Sequence, residues 1–270
     1  MNFVSNARMY SVTPEAEAAW QALLAHVSEA APVPLTYIPY PAPQPLETLW
    51  GRNDIGCVFM CGYPIALKLA DVVPVAAPIP SPEWAQGRAA YCSDFIVRRD
   101  SRFGTLEDTF GGTFGWTVAH SHSGFNAPRH HLLQYRTAER PKLYANVKGN
   151  LVTARAVLDA VIAGEIDTGP LDAYWHALLA RHKPELVRDI RVVASTALAP
   201  IPAFVASPWL GLPAINRLRT AFANAHKAEW FAPLAERLLI RGFVPVKSAD
   251  FAQTLTWHQE ALAAGYLEPA

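Results

Sequence analysis

The segment Gly115–Phe125 carries the residues best suited to binding a ligand. It reads GWTVAHSHSGF, an apolar stretch followed by small polar residues, before helical sequence resumes. The first backbone amides of a helix have no internal acceptor, and the helix dipole adds about half a positive charge there. Ser121, Ser123 and Gly124 would gather hydroxyls and amides at that point, so the segment predicts an anion-binding site. Ordinary capping of the helix by either serine is an equally good interpretation.

Histidine spacing does not favour a metal site. His120 and His122 stand two residues apart, and His130 and His131 are adjacent. Helical zinc sites instead place histidines four residues apart, or combine them with carboxylates. We therefore predict no metal, and consider His122 a candidate donor to the ligand. The sequence lacks a G-x-S-x-G elbow, so no catalytic residue is assigned.

Two carboxylates and several aromatic side chains are further candidates. Asp167 and Asp172 flank the stretch TGPL. One of them could cap a helix that begins near Leu171, and the other could point into a cleft at the carboxyl end of a strand, where open α/β sheets bind ligands. Aromatic residues fall at predicted strand ends or turns, where they pack in the core or line a pocket. They are Tyr10, Tyr63, Tyr91 and Trp116.

The elements that must position these residues alternate between strand and helix. Thr13 and Pro14 predict a helix start, as N-cap and first helical residue. Ile55–Met60 is a continuous apolar run, typical of a strand buried on both faces. Helices are predicted over 214–225, 231–241 and 251–264. The alternation predicts an α/β fold with parallel sheets and crossover helices, in two groups of similar size.

Composition excludes several classes of protein. The chain has 270 residues, 51% hydrophobic and 17% charged, so it can bury a sizeable core and is neither disordered nor fibrous. Its 23 basic and 23 acidic residues balance, which argues against binding nucleic acid through bulk charge. Cys57, Cys61 and Cys92 lack zinc spacing and are interpreted as small buried hydrophobes.

The N-terminal residues show no charged region followed by an apolar run of signal-peptide length. No stretch of 18 uninterrupted apolar residues exists, so no membrane insertion is expected. The sequence as written therefore predicts a cytoplasmic protein, and a periplasmic one if a signal peptide was removed. Nothing in it indicates a cofactor.

Five segments, taken in order, resemble the type II periplasmic binding proteins, and specifically their phosphonate/phosphite-binding branch among ABC-transporter substrate-binding proteins. They are RMY before the Pro-Glu helix start, CVFMCGYPIAL, YCSDFIVRRDSRFGTLEDTFGGTFGWTV, SHSGF and GEIDTGPLDAYWHALL. No single motif is very specific. The resemblance rests on their order and spacing, and covers about residues 2–245.

This resemblance implies two lobes, each a mixed, mostly parallel sheet flanked by helices. Residues 1–94 with 204–270 would form lobe one, and 95–203 lobe two. Ligand would bind in the cleft between the lobes, with hinge closure around it. The implied ligand-binding residues are donors from lobe two (Ser121, His122, Ser123, Gly124), an acceptor (Asp172), and tyrosines from lobe one and the hinge (Tyr10, Tyr63, Tyr91).

The function implied is capture of a small polar or anionic solute, phosphonate-like or another oxyanion, for the permease of an ABC transporter. A cytoplasmic biosynthetic enzyme on the same fold is an alternative, with His122 or Asp172 as acid or base. A cytoplasmic ligand sensor is another. Fold alone does not choose between them.

Overall fold

The computed structural model describes residues 2–270. The strands are β1 (Phe3–Asn6), β2 (Leu35–Tyr37), β3 (Ile55–Met60), β4 (Val73–Pro80), β5 (Ala90–Tyr91), β6 (Ser93–Arg98), β7 (Thr113–Gly115), β8 (Asn146–Lys148), β9 (Gly169–Asp172), β10 (Ile190–Ser195), β11 (Ala199–Pro200), β12 (Ala203–Ala206) and β13 (Ile240–Pro245). The α-helices are α1 (Pro14–Ala30), α2 (Leu46–Trp50), α3 (Gly62–Ala66), α4 (Ala127–Leu132), α5 (Ala154–Ile162), α6 (Ala173–His182), α7 (Leu212–Asn224), α8 (Phe231–Leu238) and α9 (Ala252–Ala263).

The chain divides into two compact units. Unit 1 contains the residues up to Tyr91 and Pro200–Ala252, and unit 2 contains Cys92–Ala199 and Gln253–Ala270. The predicted boundaries, 94 and 204, lie three or four residues from those observed; residue 1 lies outside the described range. The larger difference is at the C-terminal end, which was predicted to join lobe one. Residues from Gln253 onward pack in unit 2 because their buried side chains and carbonyls find their partners there: Tyr266 joins its aromatic core, and the Ala270 carbonyl accepts the Leu143 amide at 2.9 Å.

Unit 1 is built on a six-stranded sheet in the order β13-β4-β12-β3-β1-β2. β1 pairs in parallel with β2 and β3, whereas β12 and β13 pair antiparallel with their neighbours. Every residue of β3 is buried, as its apolar run predicts. Phe59 of β3 stacks on Phe204 of β12 with ring centroids 3.8 Å apart, and Trp20 of α1 lies edge-on to both. α1 begins as predicted, with the Thr13 hydroxyl accepting the Ala16 amide at 3.2 Å.

Unit 2 has a three-stranded sheet in the order β10-β6-β9, and both of its pairings are antiparallel. The sequence predicted a mostly parallel sheet here. About 70 residues separate β6 from β9, and β9 runs antiparallel to β6. Parallel pairing occurs in the short β7-β8 ribbon and in an isolated bridge between Phe114 and Thr168. An aromatic core surrounds Phe95, Phe114 and Trp116. No helix within residues 2–270 is long and apolar enough to cross a bilayer.

Candidate functional site

The predicted anion-binding segment forms the first turn of a helix in unit 2. A π-turn spans His122–Asn126 and continues into α4, so the helix begins at His122. Ser121 is its N-cap, and its hydroxyl accepts the Gly124 amide at 3.0 Å. Capping by Ser121 is therefore confirmed. The amides of His122 and Ser123 fall in the first turn, where a helix offers no acceptor of its own. Such π-turns are frequent at functional sites.

Gly124 allows this turn to lie against the segment that follows β7. A Cβ atom built on Gly124 would lie 2.0 Å from Oγ1 of Thr117, so a larger residue would force the turn away. The Thr117 amide donates to the Gly124 carbonyl at 3.3 Å. The Thr117 hydroxyl is buried and has no partner within the described residues. Sequence reasoning missed Thr117, because its position beside Gly124 depends on the return of the loop between them.

The His122 imidazole faces the interior of unit 2. Its side chain is buried and stacks on Trp257 with ring centroids 5.4 Å apart. Its Nδ1 lies 3.2 Å from Nδ2 of Asn126. Burial, and secondarily the charge of His130, lowers the pKa of His122 to about 3, so the ring is neutral at physiological pH. Only the backbone amide of His122, and not its ring, is therefore a candidate donor at the N-terminal end of the helix.

The two candidate aspartates have different local roles. Asp172 ends β9 and caps α6, its Oδ1 accepting the amides of Tyr174 and Trp175 at 2.9 and 3.0 Å. Asp167 accepts the Thr113 amide at 2.7 Å and so holds the start of β7. The capping interpretation is therefore confirmed for Asp172. β9 also packs against the π-turn. Asp172 and the serine-rich segment therefore lie on elements that are in contact.

The three candidate tyrosines all lie in unit 1 and are buried. Tyr10 is 1% exposed and sits edge-on to Phe59 at 5.0 Å, in the core. Tyr63 lies within α3 and is 3% exposed. Tyr91 lies in β5 and is 1% exposed. Core packing accounts for the position of the Tyr10 ring. Ligand binding by the three tyrosines stays a prediction.

The cysteines and histidines do not form a reactive centre. Cys57, Cys61 and Cys92 are buried thiols, none in a disulfide. Burial raises the pKa of Cys57, and raises that of Cys92 to about 12, so both are protonated and unreactive. Within residues 2–270, no group of three histidine, cysteine or acidic side chains could hold a metal ion.

Unit 2 also contains a serine, an aspartate and a histidine in contact. Asp94 accepts the Ser195 hydroxyl at 2.7 Å on one carboxylate oxygen, and Nδ1 of His176 lies 2.9 Å from the other. The carboxylate therefore stands between the hydroxyl and the imidazole. A nucleophilic serine requires the histidine in the middle, as its base. This cluster joins β6, β10 and α6, and its geometry does not activate Ser195.

Comparison with known proteins gives a consistent result. A family model described as the periplasmic substrate-binding protein of phosphonate ABC transporters matches residues 10–251. Among curated proteins, no sequence matches this chain significantly.

Solved structures share the fold at low sequence identity. A binding-protein component of a phosphonate ABC transporter from Pseudomonas aeruginosa superposes with a TM-score of 0.80 at 17% identity, over 98% of this chain and 88% of that one. PhnD1 from Prochlorococcus marinus, in complex with methylphosphonate, gives 0.77 at 14% identity, over 96% and 98%. The aliphatic sulphonate-binding protein SsuA of Escherichia coli gives 0.59 at 14% identity, over 100% and 89%.

Proposed function

Because the chain belongs to the family of periplasmic substrate-binding proteins of phosphonate ABC transporters, we propose that the turn Ser121–Gly124 binds the oxyanion head of a phosphonate-like solute. The chain is a solute-binding protein with the two-lobed α/β fold of type II binding proteins. The family match spans residues 10–251 and so includes the whole of this turn.

We choose this turn because of one observation. A helix starts at His122 with Ser121 as its N-cap, so the first amides of a helix lie in this turn. Helix N-termini favour anions because their amides point outward and the helix dipole is positive there. The imidazole of His122 is neutral, so recognition would rest on amides and serine hydroxyls. Hydrogen bonds from neutral donors suit an oxyanion that must also be released.

Asp172 is proposed as the acceptor for a protonated group of the solute. Its strand packs against the turn, and a carboxylate there would favour a ligand that carries an O–H or N–H beside its oxyanion. Binding by Tyr10, Tyr63 and Tyr91 rests on the family resemblance alone. The family supports an ABC-transporter permease as partner and the periplasm as working compartment for this chain.

Calorimetric titration with methylphosphonate, phosphite, phosphate, sulfate and an alkylsulfonate tests the proposal. Methylphosphonate or phosphite should bind at least tenfold more tightly than sulfate. At 100 times the dissociation constant, the ligand should stabilise the fold by about 2.7 kcal/mol. The Ser121→Ala, Ser123→Ala double variant should bind at least tenfold more weakly.

Ser207→Ala provides the matched control. Ser207 also caps a short helix, accepting the Trp209 amide at 3.3 Å, but it lies in unit 1. This variant should lose a comparable amount of stability and keep its affinity. Unchanged affinity in the double variant would place the site elsewhere, and a protein silent to every oxyanion would refute the assignment of the ligand class.

A further inference from the structure

The Asn126 side chain connects the ligand-binding turn to two other parts of unit 2. Its Oδ1 accepts from a terminal nitrogen of Arg129 at 3.2 Å, and its Nδ2 donates to the Thr254 carbonyl at 2.8 Å. A guanidinium can only donate and a carbonyl can only accept, so the orientation of this amide is fixed. Because Nδ2 also faces Nδ1 of His122 at 3.2 Å, Nδ1 must accept, and the proton of the neutral ring lies on Nε2.

Arg129 extends this connection to the C-terminal segment, residues 253–270. It is 2% exposed, and it donates to the Leu267 carbonyl at 3.0 Å through one terminal nitrogen. The nitrogen that contacts Asn126 also lies 2.7 Å from Nδ1 of His258. Arg129 therefore holds two points of the C-terminal segment and the side chain of Asn126 at once.

Two aromatic contacts also join the π-turn and α4 to the C-terminal segment. Trp257 stacks on His122, and also on His130 with ring centroids 4.8 Å apart and planes 3° from parallel. At the other end of the segment, Glu268 accepts the indole N–H of Trp116 at 3.1 Å. Trp116 in turn lies edge-on to Phe125 in the π-turn, 4.8 Å between centroids. The C-terminal segment thus contacts the π-turn directly through Trp257, and indirectly through Trp116, which Glu268 holds.

We propose that Asn126 and Arg129 are positioning residues that hold the Ser121–Gly124 turn on the C-terminal segment, which makes residues 253–270 a working part of the ligand-binding site. The inference rests on the proposed function of that turn. Its physical basis is preorganisation: amides already aimed at the ligand bind more tightly than amides that must first be ordered.

Affinity for methylphosphonate in three variants tests this role. Asn126→Ala and Arg129→Met remove the connection and should weaken binding at least tenfold. Arg136→Ala is the matched control, because Arg136 donates to the Ala264 carbonyl at 3.1 Å and covers the Tyr266 ring, yet makes no contact with the turn. The control should bind within twofold of the parent protein. Equal weakening in all three, at equal loss of thermal stability, would overturn the proposal.

The proton position on His122 provides a readout that needs no ligand. Nitrogen NMR of the parent protein should show a pyrrole-type Nε2 and a pyridine-type Nδ1. Asn126→Asp replaces the donor by an acceptor, and should move the proton to Nδ1 or charge the ring. A parent protein with its proton on Nδ1 would refute the connection through Asn126.

These outcomes separate this inference from the proposed function. If the parent protein binds none of the oxyanions, the ligand assignment fails, and amide hydrogen exchange at Ser123 and Gly124 then decides the positioning role. Faster exchange in Asn126→Ala than in Arg136→Ala would support it. Identical exchange in the two variants would overturn it.

Discussion

A single histidine shows how burial changes the part a residue can play. His122 stands in the segment that predicts anion binding, yet its ring is enclosed by Asn126 and Trp257 and stays neutral. Enclosure removes the charge that would have made the imidazole an obvious anion receptor. The backbone amide of His122 still lies at the N-terminal end of the helix, and an amide donates a hydrogen bond regardless of pH.

The neutral state of His122 predicts a dependence of stability on pH. The pKa is about 3 in the folded protein against 6.5 for an ordinary histidine. As the pH falls from 6.5 towards 3, the unfolded chain takes up a proton and the folded chain does not. The free energy of unfolding should therefore decrease, by up to about 1.4 kcal/mol per pH unit for this group.

Urea unfolding of the parent protein and of His122→Gln between pH 7 and pH 4 measures this contribution. The variant should show a shallower decrease, because it removes this buried histidine. His131 and His258 also have lowered pKa values, and they keep part of the slope in both proteins. If the two proteins lose stability in parallel, His122 has the same pKa in the folded and the unfolded chain, which would contradict the prediction.

Gly124 yields a second prediction at the same scale. Gly124→Ala places a methyl group 2.0 Å from the Thr117 hydroxyl oxygen and should weaken oxyanion binding at least tenfold by displacing the turn. Gly104→Ala is its control in unit 2, since a Cβ there meets only a carboxylate oxygen of Asp108 at 3.5 Å. Titration of both variants with methylphosphonate checks the difference, and equal affinities would show that the turn tolerates displacement.

At the scale of elements, α6 depends on Asp172 whether or not this carboxylate meets a ligand. Asp172→Asn retains a good cap and should change stability little, whereas Asp172→Ala should cost about 1 kcal/mol. If the carboxylate also accepts from the solute, Asp172→Asn should weaken binding of an aminoalkylphosphonate more than that of phosphite. Chemical denaturation and calorimetry separate the two roles. Thr153→Ala, which removes the corresponding cap of α5, should leave both affinities unchanged.

Local signals predicted some elements closely and failed at others for physical reasons. Thr13–Pro14 marks the start of α1, and β3 matches its predicted bounds, because each signal is complete within a few residues. The helix predicted over 231–241 is wrong beyond Leu238. Leu239 adopts a left-handed conformation that ends α8, and Ile240–Pro245 joins β4 as strand β13. Hydrophobic periodicity alone does not reveal a partner strand 160 residues away.

The candidate site could likewise be predicted from the sequence only in part. The serine-rich turn and its cap could be predicted, since N-capping depends on four neighbouring residues. The contacts of Asn126 and Arg129 with the C-terminal segment could not, because they join residues more than 125 positions apart. Such contacts leave no period or motif in the sequence.

At the scale of the whole molecule, each unit is assembled from separated stretches of chain. Removal of residues 253–270 would take Trp257, Tyr266 and Glu268 from unit 2. The truncated chain should keep slow amide exchange in β3 of unit 1 and lose it in β6 and β7 of unit 2. Hydrogen exchange followed by mass spectrometry distinguishes this result. Full protection of unit 2 in the truncated chain would contradict the assignment of the segment to it.

The division of the chain also sets an order of events during synthesis. A ribosome releases residues from the N-terminus at roughly 5–20 per second. The first 91 residues emerge without β12 and β13, which complete the sheet of unit 1, and Cys92–Ala199 emerge without the segment that supports their aromatic core. Unit 1 contains residues up to Ala252 and unit 2 contains residues up to Ala270, so neither unit has all of its residues until translation is almost finished. The nascent chain therefore lacks part of each unit for most of its synthesis, and a chaperone can engage it in that state.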